Sequence, residues 1–238
     1  MSQEELLAFA KESKRFPGID AILSQDPEAA TLHQLVKDAI VRNVKMGPFT
    51  TTAGLSLPYL LNASTNLMDK HAAANICALY GKVLPALAAA AGIAVNEKFI
   101  VVGMETAGGM LAAQLAVAAP ASLPLADYVY MRKQKKESGT GQQLEAVREY
   151  TDRTSSSGAI KAIWVDDANS TGSSLVEGIR TLKADYNIEV VAALYLVDRS
   201  ADRRSLPLER QKLASASLMG KVLIGAVYDL AEIDVCIK

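Results

Sequence analysis

Cysteine and histidine are scarce. The 238 residues hold two cysteines, Cys77 and Cys236, and two histidines, His33 and His71. Two cysteines without metal-type spacing build neither a disulfide framework nor a thiolate site, so they read as buried, reduced thiols. Two histidines leave too little for a His-based metal centre. Excess charge of either sign is lacking too. Twenty-five Lys and Arg against 26 Asp and Glu give −1. No general basic field exists to attract nucleic acid, and any anion site has to be local. Aromatic residues make up only 5%, so Ala, Val, Leu and Ile must fill the core. Residues 1–14 carry Glu4, Glu5, Lys11 and Lys14 and no apolar centre, unlike a secretory leader. The stretch from Ala72 to Val95 is broken by Lys82 and Pro85, which suits a buried helix better than a membrane span. The expected setting is the cytoplasm, without a membrane or nucleic-acid partner. Neither Gly-x-x-x-x-Gly-Lys-[Ser/Thr] nor Gly-x-Gly-x-x-Gly occurs. That excludes a triphosphate P-loop and disfavours a dinucleotide fold.

What is present is a folded composition, 50% hydrophobic and 21% charged, in a length that suits one domain or two small ones. Leu6, Leu7 and Phe9 suggest a first amphipathic helix, with a turn at Pro17-Gly18. Spacing predicts a second helix from Thr31 to Val44, started by Asp26-Pro27. Residues 47–66 read as loops with short strands, and a long helix follows, stopping near Gly92. From there short apolar runs alternate with helices. The strands are Phe99 to Val102, Tyr128 to Met131, Ile160 to Val165, Val190 to Val197 and Val222 to Val227. The helices are Gly108 to Ala118 and Leu175 to Tyr186. This is the signature of an α/β fold, a parallel sheet flanked by helices on both faces.

Three segments carry chemistry. In the first, the strand Ile163-Trp164-Val165 runs into Asp166-Asp167, then Ala168-Asn169-Ser170-Thr171-Gly172-Ser173-Ser174 and a helix. Ser174 and Glu177 fit a capping box that starts the helix near Leu175. Beyond the carboxyl end of a parallel strand, small residues let backbone N–H groups approach a phosphate, favoured by the helix dipole. The acids suit a sugar diol or its Mg²⁺. Alone, the pattern is equally an ordinary strand-to-helix turn. The second segment, Arg132-Lys133-Gln134-Lys135-Lys136-Glu137-Ser138-Gly139-Thr140-Gly141, holds the only dense basic run. Such runs are usually solvated loops. The functional alternative is a lid closing over a polyanionic leaving group. The third, Val102-Gly103-Met104-Glu105-Thr106-Ala107-Gly108-Gly109, is a tight turn that could form a second anion loop.

Together and in this order, the three segments resemble the type I phosphoribosyltransferases. Asp166 to Ser174 looks like their binding motif for 5-phosphoribosyl-1-pyrophosphate (PRPP). Within that family the match is best to the orotate-specific members. Lys45-Met46-Gly47-Pro48-Phe49-Thr50, Ala53-Gly54 and Pro58-Tyr59-Leu60-Leu61-Asn62 resemble their N-terminal stretch. Glu105-Thr106-Ala107-Gly108 resembles their pyrophosphate loop, Arg132 to Gly141 their catalytic loop, and Asp198-Arg199 the site of an orotate-binding Arg. The resemblance divides the chain into an N-terminal helical extension, residues 1–30, and a phosphoribosyltransferase domain, residues 31–238, with a hood region ahead of the sheet.

The resemblance implies roles. Ser170, Thr171, Gly172, Ser173 and Ser174, with Ala168 and Asn169, would hold the ribose 5-phosphate. Asp166 and Asp167 would contact ribose hydroxyls or Mg²⁺, which arrives with PRPP rather than in a protein-only site. Thr106 and Ala107 would approach pyrophosphate through their backbone. Arg132, Lys133, Lys136 and Ser138 would face pyrophosphate from the partner subunit of a homodimer. Catalysis would rest on Arg132, Lys133, Lys136 and Asp167. Lys45 would reach the phosphates or the base. Leu60, Leu61, Ser170 and Arg199 would bound orotate, Arg199 pairing with its carboxylate. Two positions depart from the family. Ser138 stands where a loop His is usual, and Leu60 and Leu61 where an aromatic is usual. The implied activity is Mg²⁺-dependent transfer of phosphoribose from PRPP to orotate, in pyrimidine nucleotide synthesis. The alternatives are transfer to another base, or PRPP binding without orotate activity.

Overall fold

The computed structural model describes residues 16, 18–50, 56–119, 123–135, 142–146, 148–151, 158–169, 172–199 and 222–237. The helix expected around Leu6, Leu7 and Phe9 lies outside them. Two helices come first, α1 (Gly18–Gln25) and α2 (Pro27–Arg42). Asp26 sits between them and caps α2. One carboxylate oxygen accepts from the N–H of Glu28 at 3.0 Å and of Ala29 at 3.1 Å. Pro27 occupies the first helical position, where no N–H is needed. The helix therefore starts at Asp26-Pro27 itself rather than at Thr31, and it runs through residues 30 and 31. Phe16, ahead of α1, donates its N–H to Ala226 at 2.9 Å and is buried in the core.

A separate antiparallel hairpin follows, β1 (Val44–Thr50) and β2 (Ser56–Leu61), with a register irregularity between Met46 and Phe49. A 3-10 turn (Ala63–Leu67) leads to α3 (Lys70–Ala90). The length and composition of α3 would allow a membrane span. Its packing makes it a core helix, since Ile76, Leu79, Tyr80, Leu84 and Leu87 are fully enclosed. Cys77 lies on the same face, where burial pushes its thiol up to about 11.

The sheet is built by β3 (Phe99–Met104), β4 (Leu125–Met131), β5 (Leu144–Glu145), β6 (Ile160–Asn169), β7 (Ile188–Asp198) and β8 (Leu223–Asp229). Between them lie α4 (Ala107–Ala118), α5 (Arg148–Thr151) and α6 (Ser173–Tyr186), and α7 (Leu230–Ile237) follows β8. The strand order is β5-β4-β3-β6-β7-β8. All neighbours are parallel except β5, which pairs antiparallel with β4. Alternation along the strands fills two cores. Phe99, Val101, Ile163 and Leu194 face the side covered by α3 and α4. Ile100, Val102, Trp164 and Ala193 face the side covered by α6, with Tyr186 and Leu182.

Candidate active site

The strand order reverses between β3 and β6. From β3 the chain moves outward through β4 and β5, then returns to β6 and moves the other way through β7 and β8. Loops leaving the carboxyl ends on either side of such a point diverge and open a crevice. A cleft of about 340 Å³ lies there. Ser64 and Met68 line it from the 3-10 turn, Met104 to Ala107 and Met110 from the β3–α4 turn, and Lys133 from the end of β4. Asp166, Asp167 and Ala168 of β6 and Ser174 of α6 complete it. Another cavity, of about 270 Å³, sits at the opposite end of β3 between Pro85, Ile93, Phe99 and Leu123. Among the described residues that line it there is no titratable group.

The β3–α4 turn is as tight as its glycines suggest. A Cβ on Gly103 would collide with the Gly108 carbonyl, and one on Gly109 with the Tyr130 ring. Helix α4 begins at Ala107, and its N-cap Thr106 makes no side-chain capping bond, so its first N–H groups are available to a ligand. The Glu105–Thr106 peptide is cis. At α6 the expected capping box does not form. Gly172, at φ 70°, turns the chain into the helix, which begins at Ser173, and among the described residues no side chain caps it. A left-handed glycine starts the helix two residues early and leaves Ser174 facing the cleft instead of capping.

The expected strand end is also corrected. β6 continues past Val165 because β7 continues beside it. Asp166 lies opposite Tyr195, Ala168 opposite Val197 and Asn169 opposite Asp198. Asn169 is buried and donates from Nδ2 to Asp198 Oδ1 at 3.1 Å, and its carbonyl accepts from Arg199 N–H at 2.7 Å. The acid pair is thereby held in the sheet rather than in a loop. Burial, and then the charge of Asp167, push the Asp166 carboxyl up to about 8, opposed by Lys133. Burial also raises Asp167, opposed by its bond with Asp166 and by the N–H groups of Ala168 and Ser64. Asp167 N–H donates to Asp166 Oδ1 at 3.0 Å. Two buried carboxyls in contact resist carrying two negative charges, so the pair favours keeping a proton. Tyr80 lies within the electrostatic reach of both acids, fully buried and with no partner for its hydroxyl among the described residues.

Of the residues expected from sequence, Thr106, Ala107, Lys133, Asp166, Asp167, Ala168 and Ser174 come together in the cleft, Lys133 reaching it from its own chain rather than from the partner subunit the resemblance implied. Others are described but do not line it. Lys45 is exposed on β1, across from Leu60 of β2, and Leu61 packs in the core. Arg132 turns to Glu145, whose Oε1 accepts from Nε and Nη2 at 2.9 Å each. Arg199 follows β7, half-buried. Lys136, Ser138, Ser170 and Thr171 lie outside the described residues, and Ser173 is described by its backbone alone. Sequence reasoning missed Ser64, Met68, Met104 and Met110 as cleft residues. Ser64 meets Asp167 from about a hundred residues away, and no local pattern announces that.

A family model described as "Phosphoribosyl transferase domain" matches residues 84–213. The orotate phosphoribosyltransferase of Bifidobacterium longum strain DJO10A is 30% identical over 191 residues, 80% of this chain and 78% of that protein. Among solved structures, an orotate phosphoribosyltransferase from Mycobacterium tuberculosis shares the fold with a TM-score of 0.59 at 20% identity. It covers 85% of this chain and 98% of that one. A second structure of the Mycobacterium tuberculosis enzyme, in complex with PRPP, superposes with a TM-score of 0.54 at 18% identity over 87% of this chain and 92% of that one.

Proposed function

Because this chain belongs to the orotate phosphoribosyltransferases of the phosphoribosyltransferase family, we propose that it moves phosphoribose from PRPP to the ring nitrogen of orotate. The products are orotidine 5′-phosphate and pyrophosphate. One observation carries the reading: a buried acid pair faces a glycine-built turn and a lysine across a cleft at the point where the strand order reverses. Asp166 and Asp167 take the ribose hydroxyls, releasing the shared proton. The N-termini of α4 and α6 receive the two phosphate ends of PRPP through backbone N–H groups, at Thr106 and Ala107 and at Gly172 to Ser174. Lys133 sits by the acids, where it stabilises negative charge that grows on pyrophosphate as the C1–O bond breaks. Arg199, beyond β7, pairs with the orotate carboxylate.

Mg²⁺ suits this donor set. Asp166 and Asp167 offer only hard oxygen ligands, and no group of three His, Cys, Asp or Glu fit to hold a metal exists among the described residues. The ion would come with PRPP, held by its oxygens with help from the acid pair. When bound, it neutralises part of the diphosphate charge. The same proposal includes a homodimer in which Lys133 serves its own cleft while Lys136 and the run beyond it serve the partner's, and a cytoplasmic setting, compatible with the free thiol of Cys77. The test is PRPP-dependent loss of orotate absorbance with purified protein and Mg²⁺, beside uracil, hypoxanthine and adenine. Loss with orotate alone supports the reading. Turnover of another base, or of none, overturns it.

A further inference from the structure

The start of the basic run, Arg132 to Lys135, leaves the sheet toward the tip of a hairpin, which its sequence does not announce. β4 and β5 pair antiparallel, Tyr130 opposite Glu145 and Met131 opposite Leu144. The chain between them carries Arg132 to Lys136. At the base of this tip sits Gln143, buried to 6% exposure. Its side-chain Nε2 donates to the Arg132 carbonyl at 2.8 Å and to the Lys133 carbonyl at 3.3 Å. Its own carbonyl accepts from Arg132 N–H at 2.9 Å. Its N–H donates to the Tyr186 hydroxyl at 3.3 Å, which ties the hairpin base to the end of α6. One residue therefore fastens both stems to each other and to the domain. Glu145 adds the ion pair with Arg132. Successive residues leave an extended chain on opposite sides. With Arg132 turned to Glu145, Lys133 is the next side chain and it enters the cleft.

The geometry points to Gln143 as a positioning residue for Lys133. Its amide fixes the two carbonyls that flank the lysine's backbone, and so sets where the ammonium meets the leaving pyrophosphate. Glu145 is the second point of the same clasp. This inference rests on the transferase reading for its rate effect, but the clasp itself is a property of the hairpin. Buried amides that bond two carbonyls are costly to replace, because the carbonyls are left without a donor. A displacement of about 1 Å at a charge contact costs up to about 10²-fold in rate.

Gln143→Met keeps the volume of the side chain and removes the donor. The expected result is a fall in kcat of about 10- to 100-fold, with KM for orotate and binding of Mg²⁺-PRPP within about threefold of wild type. Tryptic cleavage at Lys133 and Lys135 in the ligand-free protein should quicken at least severalfold. Gln143→Glu sets a carboxylate against two carbonyls, and a protonated Glu regains one bond. Its kcat deficit relative to wild type should therefore shrink as pH falls from 8 to 5.5. Wild-type kcat and cleavage rates in both variants would overturn the clasp. So would a large loss of melting temperature with every kinetic constant affected alike, which would make Gln143 a stability residue. If the wild type itself makes no nucleotide from PRPP and orotate, the transferase reading fails, and the cleavage rates alone decide the clasp.

Discussion

Replacing Asp166 by Asn should stabilise the ligand-free protein, and increasingly so as pH rises. In the folded chain Asp166 ionises near 8 against an ordinary 3.8, through burial and the neighbouring Asp167. The native state thus keeps a proton that the unfolded chain has lost. A raised folded pKa contributes stability that is fully present below pH 4 and is lost as pH climbs to about 8. The interval is about 4 pH units, and at about 1.4 kcal/mol per unit the limit is about 6 kcal/mol. Asp167 shares the proton and Lys133 offsets part of the cost, so about 2–3 kcal/mol is expected at Asp166. For a chain of this size that is about 4–12 °C in Tm. Asn resembles the protonated acid and does not titrate. Thermal melts from pH 4.5 to 9 in EDTA should show nearly equal Tm values at the acid end. The variant should gain steadily to a plateau above pH 8. Mg²⁺ with PRPP should narrow the gap for wild type only. Parallel curves across the whole range would refute the buried, proton-sharing pair. The same variant should turn over poorly despite its greater stability, since an amide cannot accept as a carboxylate does from ribose hydroxyls.

Lys133→Ala should lower kcat by about 10²–10³ while PRPP still binds, because it removes one contact to developing charge; single-turnover and binding measurements separate the two effects. Mixed dimers of Lys136→Ala and Asp167→Asn chains should recover some activity if the basic run beyond Lys133 works across subunits, and verified mixed dimers without recovery would assign Lys136 to its own chain. Arg199→Ala should raise KM for orotate far more than for PRPP; equal effects would mean a structural role at the end of β7. Gly103→Ala should cost at least about 1–3 kcal/mol, read by urea denaturation, because its Cβ would collide with the Gly108 carbonyl; undiminished stability would show that the β3–α4 turn is looser than described.

The acid pair, the glycine-rich turn and the basic run were legible because each is local, a few adjacent residues at the end of an apolar strand. So was the parallel sheet, since Ile163-Trp164-Val165 and the long run of β7 are apolar on both faces. The remaining differences come from partners distant in sequence. β6 runs on through Asp166 and Asp167 because Tyr195 and Val197 pair with it, and acids in a strand interior carry no strand signal. Ser174 and Glu177 have the spacing of a capping box, but Gly172 takes the left-handed turn first, and a backbone preference outranks a side-chain one there. β5 spans only two residues and has no periodicity to read. Gln143 looks like any loop glutamine until the hairpin brings the Arg132 and Lys133 carbonyls to it. Leu61 sits within a family-like motif, yet strand alternation turns it into the core.

The most direct test is a product balance. Purified wild-type protein and the Asp166→Asn/Asp167→Asn double variant are each given PRPP, orotate and Mg²⁺, and nucleotide and pyrophosphate are quantified together. The wild type should form orotidine 5′-phosphate and pyrophosphate in equal amounts, and the folded double variant should form neither at a comparable rate. Pyrophosphate without nucleotide, or undiminished product from the double variant, would contradict the assignment of this cleft as the place where orotate receives phosphoribose.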